Sequence, residues 1–163
     1  MRYVLTLFLL FALLVSQAQE LSLTEVRKLY IDASFEESAA IKLFDLTKNS
    51  SIETDYLQFS YNAVSQMLQS KFAINPFVKL KAFNDGKEQL EKVIKQYPQD
   101  IELRFLRFCV QDGTPAILDY KLNMKEDSQF IENKISKSSK ELQTFITPIF
   151  KTLNDGRTSY SGR

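Results

Sequence analysis

The sequence predicts an all-α protein of antiparallel helical hairpins, arranged either as repeats or as an irregular helical bundle. Three observations carry that prediction. Apolar residues recur at spacings of three and four, not two, along nearly the whole chain. Only four glycines and four prolines interrupt the 163 residues, and several stand where a helix should begin or end. Finally, a capping side chain precedes an acid by three residues at Ser22/Glu25, Ser34/Glu37, Asn123/Glu126 and Ser138/Glu141. In that arrangement each partner satisfies a backbone N–H left free by the first helical turn.

The chain opens with MRYVLTLFLLFALLVSQA. Arg2 gives a positive start, Tyr3 to Val15 form an uncharged apolar core, and Ser16 and Ala18 are small. This is the three-part pattern of a secretory signal peptide over 1–18, with cleavage expected after Ala18. The apolar run is shorter than the ~20 residues a spanning helix needs. No cysteine follows it to carry a lipid anchor. Residues 19–154 are expected to form one helical domain, periplasmic or secreted and without a transmembrane span. Residues 155–163 are expected to form a disordered tail.

Within the domain, helices are predicted near 23–33, 36–48, 54–73, 76–97 and 100–111. A short helical turn follows at 115–121, then helices near 124–137 and 139–154. The first begins at Ser22, with Leu21 and Val26 placed as a hydrophobic staple. The third has no charge between 56 and 70, and Tyr56, Phe59, Ala63 and Met67 lie on a broad apolar arc. So wide an arc calls for cover on two sides. Asn62, Gln66 and Gln69 fill the remaining strip with amides, which either line a groove or form a quiet surface.

The segment 76–97 is the clearest amphipathic helix. Phe83, Gly86, Leu90, Val93 and Ile94 project to one side, and the pairs Glu88/Lys92 and Glu91/Lys95 to the other. Pro76 suits a first turn and Pro98 cannot continue the helix. In the last segment the stripe Leu142, Phe145, Ile146, Ile149, Phe150, Leu153 keeps phase through Pro148, which predicts a kinked helix. Asn154-Asp155-Gly156 reads as its stop.

The stretch AFNDGKEQLEKVIKQYPQDIELRFLR adds a resemblance. Val93, Leu90 and Gly86, counted back from Pro98, have the spacing of large and small positions on the second helix of a tetratricopeptide repeat. A new helix follows the proline at once. Residues 75–123 resemble that repeat, and also a family of exported bacterial helical proteins. No second copy is visible at a period of about 34 residues. The resemblance implies helical hairpins that bind protein or peptide.

Composition narrows the chemistry. Removing 1–18 takes away Arg2 and no acid, which leaves 20 basic and 20 acidic side chains. Neither a nucleic-acid footprint nor a polybasic membrane patch fits, because both need clustered unpaired cations. The chain has no histidine and a single cysteine, Cys109. Histidine-based triads and Cys/His zinc sites are therefore excluded, and so is an internal disulfide. Cys109 reads as a small buried hydrophobe. Acid pairs such as Glu36/Glu37 and Glu126/Asp127 fall in first helical turns, where the helix dipole favours them. No phosphate loop, nucleophile elbow or calcium loop is present. No catalytic residue, metal or cofactor is expected.

One segment stands apart. On the helix at 100–111 most of the circumference is apolar, and Arg104, Arg107 and Gln111 share a strip only ~60° wide. Glu102 sits alone within the apolar arc, in the first turn, where an acid is stabilised by the helix dipole. The leading reading of the arginines is a solvated edge with stems over apolar surface. The second is an ion pair with an acid such as Asp85 or Glu91. The third is an anion-reading strip with bidentate donors.

These features lead to an expected adaptor of the cell envelope that binds protein or peptide. Its candidate groove lies between 54–73 and 100–111, lined by Arg104, Arg107, Gln111, Asn62, Gln66 and Gln69. The alternatives are a histidine-independent enzyme using carboxylate and arginine residues, and a purely structural envelope component.

Overall fold

The computed structural model describes residues 22–160. Among them the backbone forms seven α-helices and two single 3-10 turns, with no strand. The predicted signal segment lies outside these residues. The helices are α1 (Leu23–Ala33), α2 (Glu37–Thr47), α3 (Ile52–Ser70), α4 (Pro76–Gln96), α5 (Ile101–Gly113), α6 (Met124–Lys134) and α7 (Lys140–Tyr160). The 3-10 turns, Ala116–Leu118 and Ile135–Lys137, flank α6.

Local chemistry sets the ends. At α1 the box closes in both directions: Glu25 N–H donates to Ser22 Oγ at 3.3 Å, and Ser22 N–H to Glu25 Oε2 at 3.1 Å. The other three predicted cap pairs do not form. Ser34 Oγ donates back to the Tyr30 carbonyl, Ser138 Oγ to the Ile135 carbonyl, and Asn123 makes no side-chain cap bond. Ser139 takes over at α7, where its hydroxyl accepts from Leu142 N–H. A serine hydroxyl that donates to a nearby carbonyl competes with its own use as a cap.

α3 begins earlier than predicted, at a box between Ser51 and Thr54. Its first turn is then broken at Asp55 (φ −156°, ψ 89°), whose carboxylate accepts from Gln58 N–H and caps the longer helix that follows. Asn75 caps α4 over Pro76, and Asp100 caps α5. α7 continues through Pro148 and past Gly156 to Tyr160. The predicted stop at 154–156 is therefore overrun by helix. Pro148 weakens a helix without ending it when the apolar stripe on either side, here Phe145 and Ile146 before it and Ile149 and Phe150 after it, stays packed.

Helices adjacent in sequence pack against each other from α1 to α4, and again as α5 with α6. The pairs run antiparallel. Gln69 near the end of α3 reaches the Ala40 carbonyl near the start of α2. Tyr56 at the start of α3 stacks on Tyr97 after the end of α4, with ring centres 4.1 Å apart. α5 is the hub, in contact with α3, α4, α6 and α7. Leu103, Phe105, Leu106 and Phe108 are fully buried along it. Phe145 and Phe150 of α7 pack edge-on or tilted against Phe105 and Phe108. Cys109 is partly buried and lies against this core.

Gly86 marks the closest helix–helix approach. A β-carbon there would sit 2.3 Å from the Ala63 carbonyl oxygen and 2.8 Å from Met67 Cγ. The methionine can move, but the carbonyl of a packed helix cannot. Gly86→Ala is expected to push α4 off α3 and cost about 1–3 kcal/mol in denaturant unfolding. Gly113→Ala, where nothing lies within 4 Å, should leave the unfolding midpoint unchanged or raise it.

Candidate functional site

The charged residues of α5 follow from helix geometry. Positions 102 and 104 are about 200° apart, whereas 104 and 107 are about 60° apart. Glu102 therefore faces one side of the hub and the two arginines face the other. All three are buried.

On the first side Arg27 of α1 forms a fork with Glu102. Its Nε donates to Oε1 at 2.8 Å and its Nη2 to Oε2 at 2.7 Å. Tyr61 of α3 donates its hydroxyl to Glu102 Oε1 at 2.6 Å. Arg27 Nη1 turns to Glu141 of α7, which also accepts from Thr24 Oγ1. Hydrogen bonding to Glu102 is the main reason the Arg27 pKa is raised further above its usual value, and burial opposes it. Glu102 thus has a specific partner, beyond the helix-dipole role its first-turn position suggests.

On the second side Asp127 of α6, with 0% of its surface exposed, holds both arginines. Arg107 meets it as a fork, Nε to Oδ2 at 2.7 Å and Nη2 to Oδ1 at 2.7 Å. Arg104 Nη1 reaches Asp127 Oδ1 and Glu126 Oε1, each at 2.8 Å, while its Nε donates to the Pro98 carbonyl. The Phe130 ring lies under its guanidinium, 5.1 Å from the centroid. Arg107 Nη1 also reaches Glu91 of α4, whose other oxygen accepts from the Tyr120 hydroxyl at 2.6 Å. Burial alone would lower the Arg107 pKa, but the bonds to Asp127 and the charges of Asp127 and Glu91 outweigh it and raise the value.

Of the three readings of Arg104 and Arg107, this geometry is the ion pair. Glu91 is one partner, as expected. Asp85 is not, since it pairs with Lys81 on its own helix. The principal partner is Asp127, whose first-turn position by itself suggests only a helix-dipole role. Gln111 continues the strip but is fully buried, and its amide finds no hydrogen-bond partner.

The amide strip of α3 faces elsewhere. Asn62 donates to the Phe44 carbonyl and Thr47 Oγ1 of α2, and Gln69 to the Ala40 carbonyl. Gln66 spans Asn62 and Gln89 of α4. The six candidate residues therefore divide into two separate sets and do not line one groove. The arginine set holds α5 to α4 and α6, and the amide set holds α3 to α2 and α4.

No known family, curated protein or solved structure matches this chain.

The chemistry that remains open lies at the surface. Among the described residues no group of three or more His, Cys, Asp or Glu is placed to hold a metal ion. A shallow depression of about 450 Å³ is lined by Met124, Lys125, Ser128, Gln129, Glu132 and Asn154. Larger in chemical contrast is one end of the bundle. Ile74 is 99% exposed and Phe77 84%, with Val78 and Leu80 beside them at the start of α4. Lys71, at the end of α3, donates to the Ser34 carbonyl, so the exposed Phe35 of the α1–α2 turn lies at the same end. Periodicity does not find this patch, because it shows which face is apolar but not whether a neighbour covers it.

Two outcomes test the buried networks. Asp127→Asn leaves two guanidiniums without their shared anion and is expected to cost about 3–5 kcal/mol in chemical unfolding. Glu126→Gln, at a largely exposed partner, should cost about 1 kcal/mol or less. The second outcome concerns alkaline pH. Burial, then Glu102, raises the Tyr61 pKa above the ordinary 10.0. Burial and the bond to Glu91 raise Tyr120, burial and the bond to Asp100 raise Tyr56, and burial raises Tyr30. Raised folded-state values mean that the protonated phenols stabilise the fold fully below pH 10.0, and that this stability is lost as pH rises above it. Tyrosinate absorbance should therefore show these four rings ionising late, together with loss of helical circular dichroism.

Proposed function

We propose that the chain is an exported, non-catalytic helical binding module of the cell envelope that docks through the end of the bundle at the α3–α4 turn. The observation that carries this reading is the run of apolar side chains at that end. Ile74 in the α3–α4 turn, and Phe77, Val78 and Leu80 in the first turns of α4, stand in solvent, while later turns of the helix are packed. So many large apolar side chains exposed together at one end mark an interaction site.

Two further features support the reading. The charged side chains with the greatest chemical potential, Arg27, Glu102, Arg104, Arg107 and Asp127, are engaged with one another in the interior. They serve as struts that fix the scaffold. The tetratricopeptide-like spacing around Gly86 supports an interaction role by resemblance, and Gly86 itself packs against Ala63 of α3. Export is supported by the signal-like pattern of residues 1–18.

The test compares association with native envelope material, read by crosslinking and co-sedimentation. Ile74→Ser/Phe77→Ser should keep the unfolding midpoint of the parent, because both side chains are already exposed, and should lose most of the association. Unchanged association in this double variant would overturn the proposed docking end.

A further inference from the structure

We infer that the α3–α4 end is an interfacial anchor for an anionic lipid surface. In this arrangement Ile74, Phe77, Val78 and Leu80 enter the acyl boundary, and Lys79 and Lys81 meet the headgroups. The inference rests on the proposed binding role and assigns its class of partner.

The shape of the end comes first. Every residue from Ile74 to Lys81 is exposed, a run of eight covering the turn and the first turn and a half of α4. A groove would leave some of these side chains half-buried between walls. Here they protrude on all sides, which suits insertion into a fluid surface better than seating in a rigid pocket. An end of this kind enters the interface tip first, with apolar side chains in the acyl boundary and lysines reaching the headgroups.

Charge is the second argument. No acid occurs between Asp55 and Asp85, while Lys71, Lys79 and Lys81 all fall within that interval. In space the excess is smaller: Lys71 reaches back to the α1–α2 turn, and Lys79 and Lys81 against Asp85 leave one net positive charge on the α4 side. The amino terminus of α4 also points its dipole outward here, with two free N–H groups already capped by Asn75. So small a charge holds a protein weakly, and the apolar residues must supply most of the affinity. Acids stand nearby and limit the approach. Asp85 pairs with Lys81 one turn further along, and Asp32, Glu36 and Glu37 are exposed around the α1–α2 turn. The lipid surface therefore meets the α4 side of the end, away from that turn.

A second copy fits less well. In a two-fold dimer the same patch meets itself, so the lysine rim of one copy would face the lysine rim of the other.

Flotation with lipid vesicles tests the inference. Because the apolar segment 3–15 would itself bind lipid, the protein is purified after export, and variants are compared with the parent in the same form. The parent should float with phosphatidylcholine vesicles containing phosphatidylglycerol and stay behind with phosphatidylcholine alone. Phe77→Ser should weaken partitioning by about tenfold or more, and Lys79→Glu by about fivefold or more. Absence of flotation, equal flotation on neutral vesicles, or flotation indifferent to both variants overturns the lipid assignment. So does a crosslinked dimer joined through cysteines introduced at Phe77. If vesicles fail but Ile74→Ser/Phe77→Ser still loses envelope association, the docking end stands and its partner is a protein. If that double variant changes neither readout, the docking end falls as well.

Discussion

Asp127 fixes the position of α5, and through α5 the rest of the molecule. One carboxylate with no exposed surface takes two guanidiniums, one of them as a fork, while Glu102 on the opposite side takes a third. A buried ion pair adds little net stability over a well-packed apolar substitute, but a broken one is severely destabilising. The pairs therefore act mainly against wrong arrangements. Turning α5 by one residue would move Glu102 away from Arg27 and both arginines away from Asp127 together. The apolar surface of α5 extends round most of its circumference and permits many orientations. The ion pairs leave one.

Each network also draws in a tyrosine, Tyr61 on Glu102 and Tyr120 on Glu91. These phenols supply donors to carboxylates already engaged by arginine, so few lone pairs are left dry and empty. Gln111 is the exception within the same strip: its buried amide is unmatched. The interior is thus specified by charge along one stretch of α5 and by packing elsewhere.

The fold was legible where its causes are local. Apolar spacing places all seven helices, and Gly86 stands on the buried arc where a close approach needs it. The Ser22/Glu25 box reads directly from four adjacent residues. Ser34 and Ser138 mislead because a hydroxyl has two uses, and which it takes depends on the carbonyl nearby. The site was legible only in part. The narrow arginine strip and Glu91 follow from helical geometry, but Asp127 has a sufficient local explanation in its first-turn position. Its true role depends on how α6 registers against α5. Asn62 and Gln69 carry no sign that α2 carbonyls will meet them. The apolar end escapes for the opposite reason: exposure is the absence of a neighbour, and sequence records only the residues present.

The first helix has a separate dependence, on the order in which the chain becomes available. Arg27 finds its partners 75 and 114 residues later, and Thr24 reaches Glu141 across 117. Local hairpins such as α3–α4 can form from segments close together in the chain, and they form early. The earliest of the described helices in the chain is among the last to complete its contacts. Until α7 is available, Arg27 has no Glu141, and α1 stays incompletely anchored however well its cap is made.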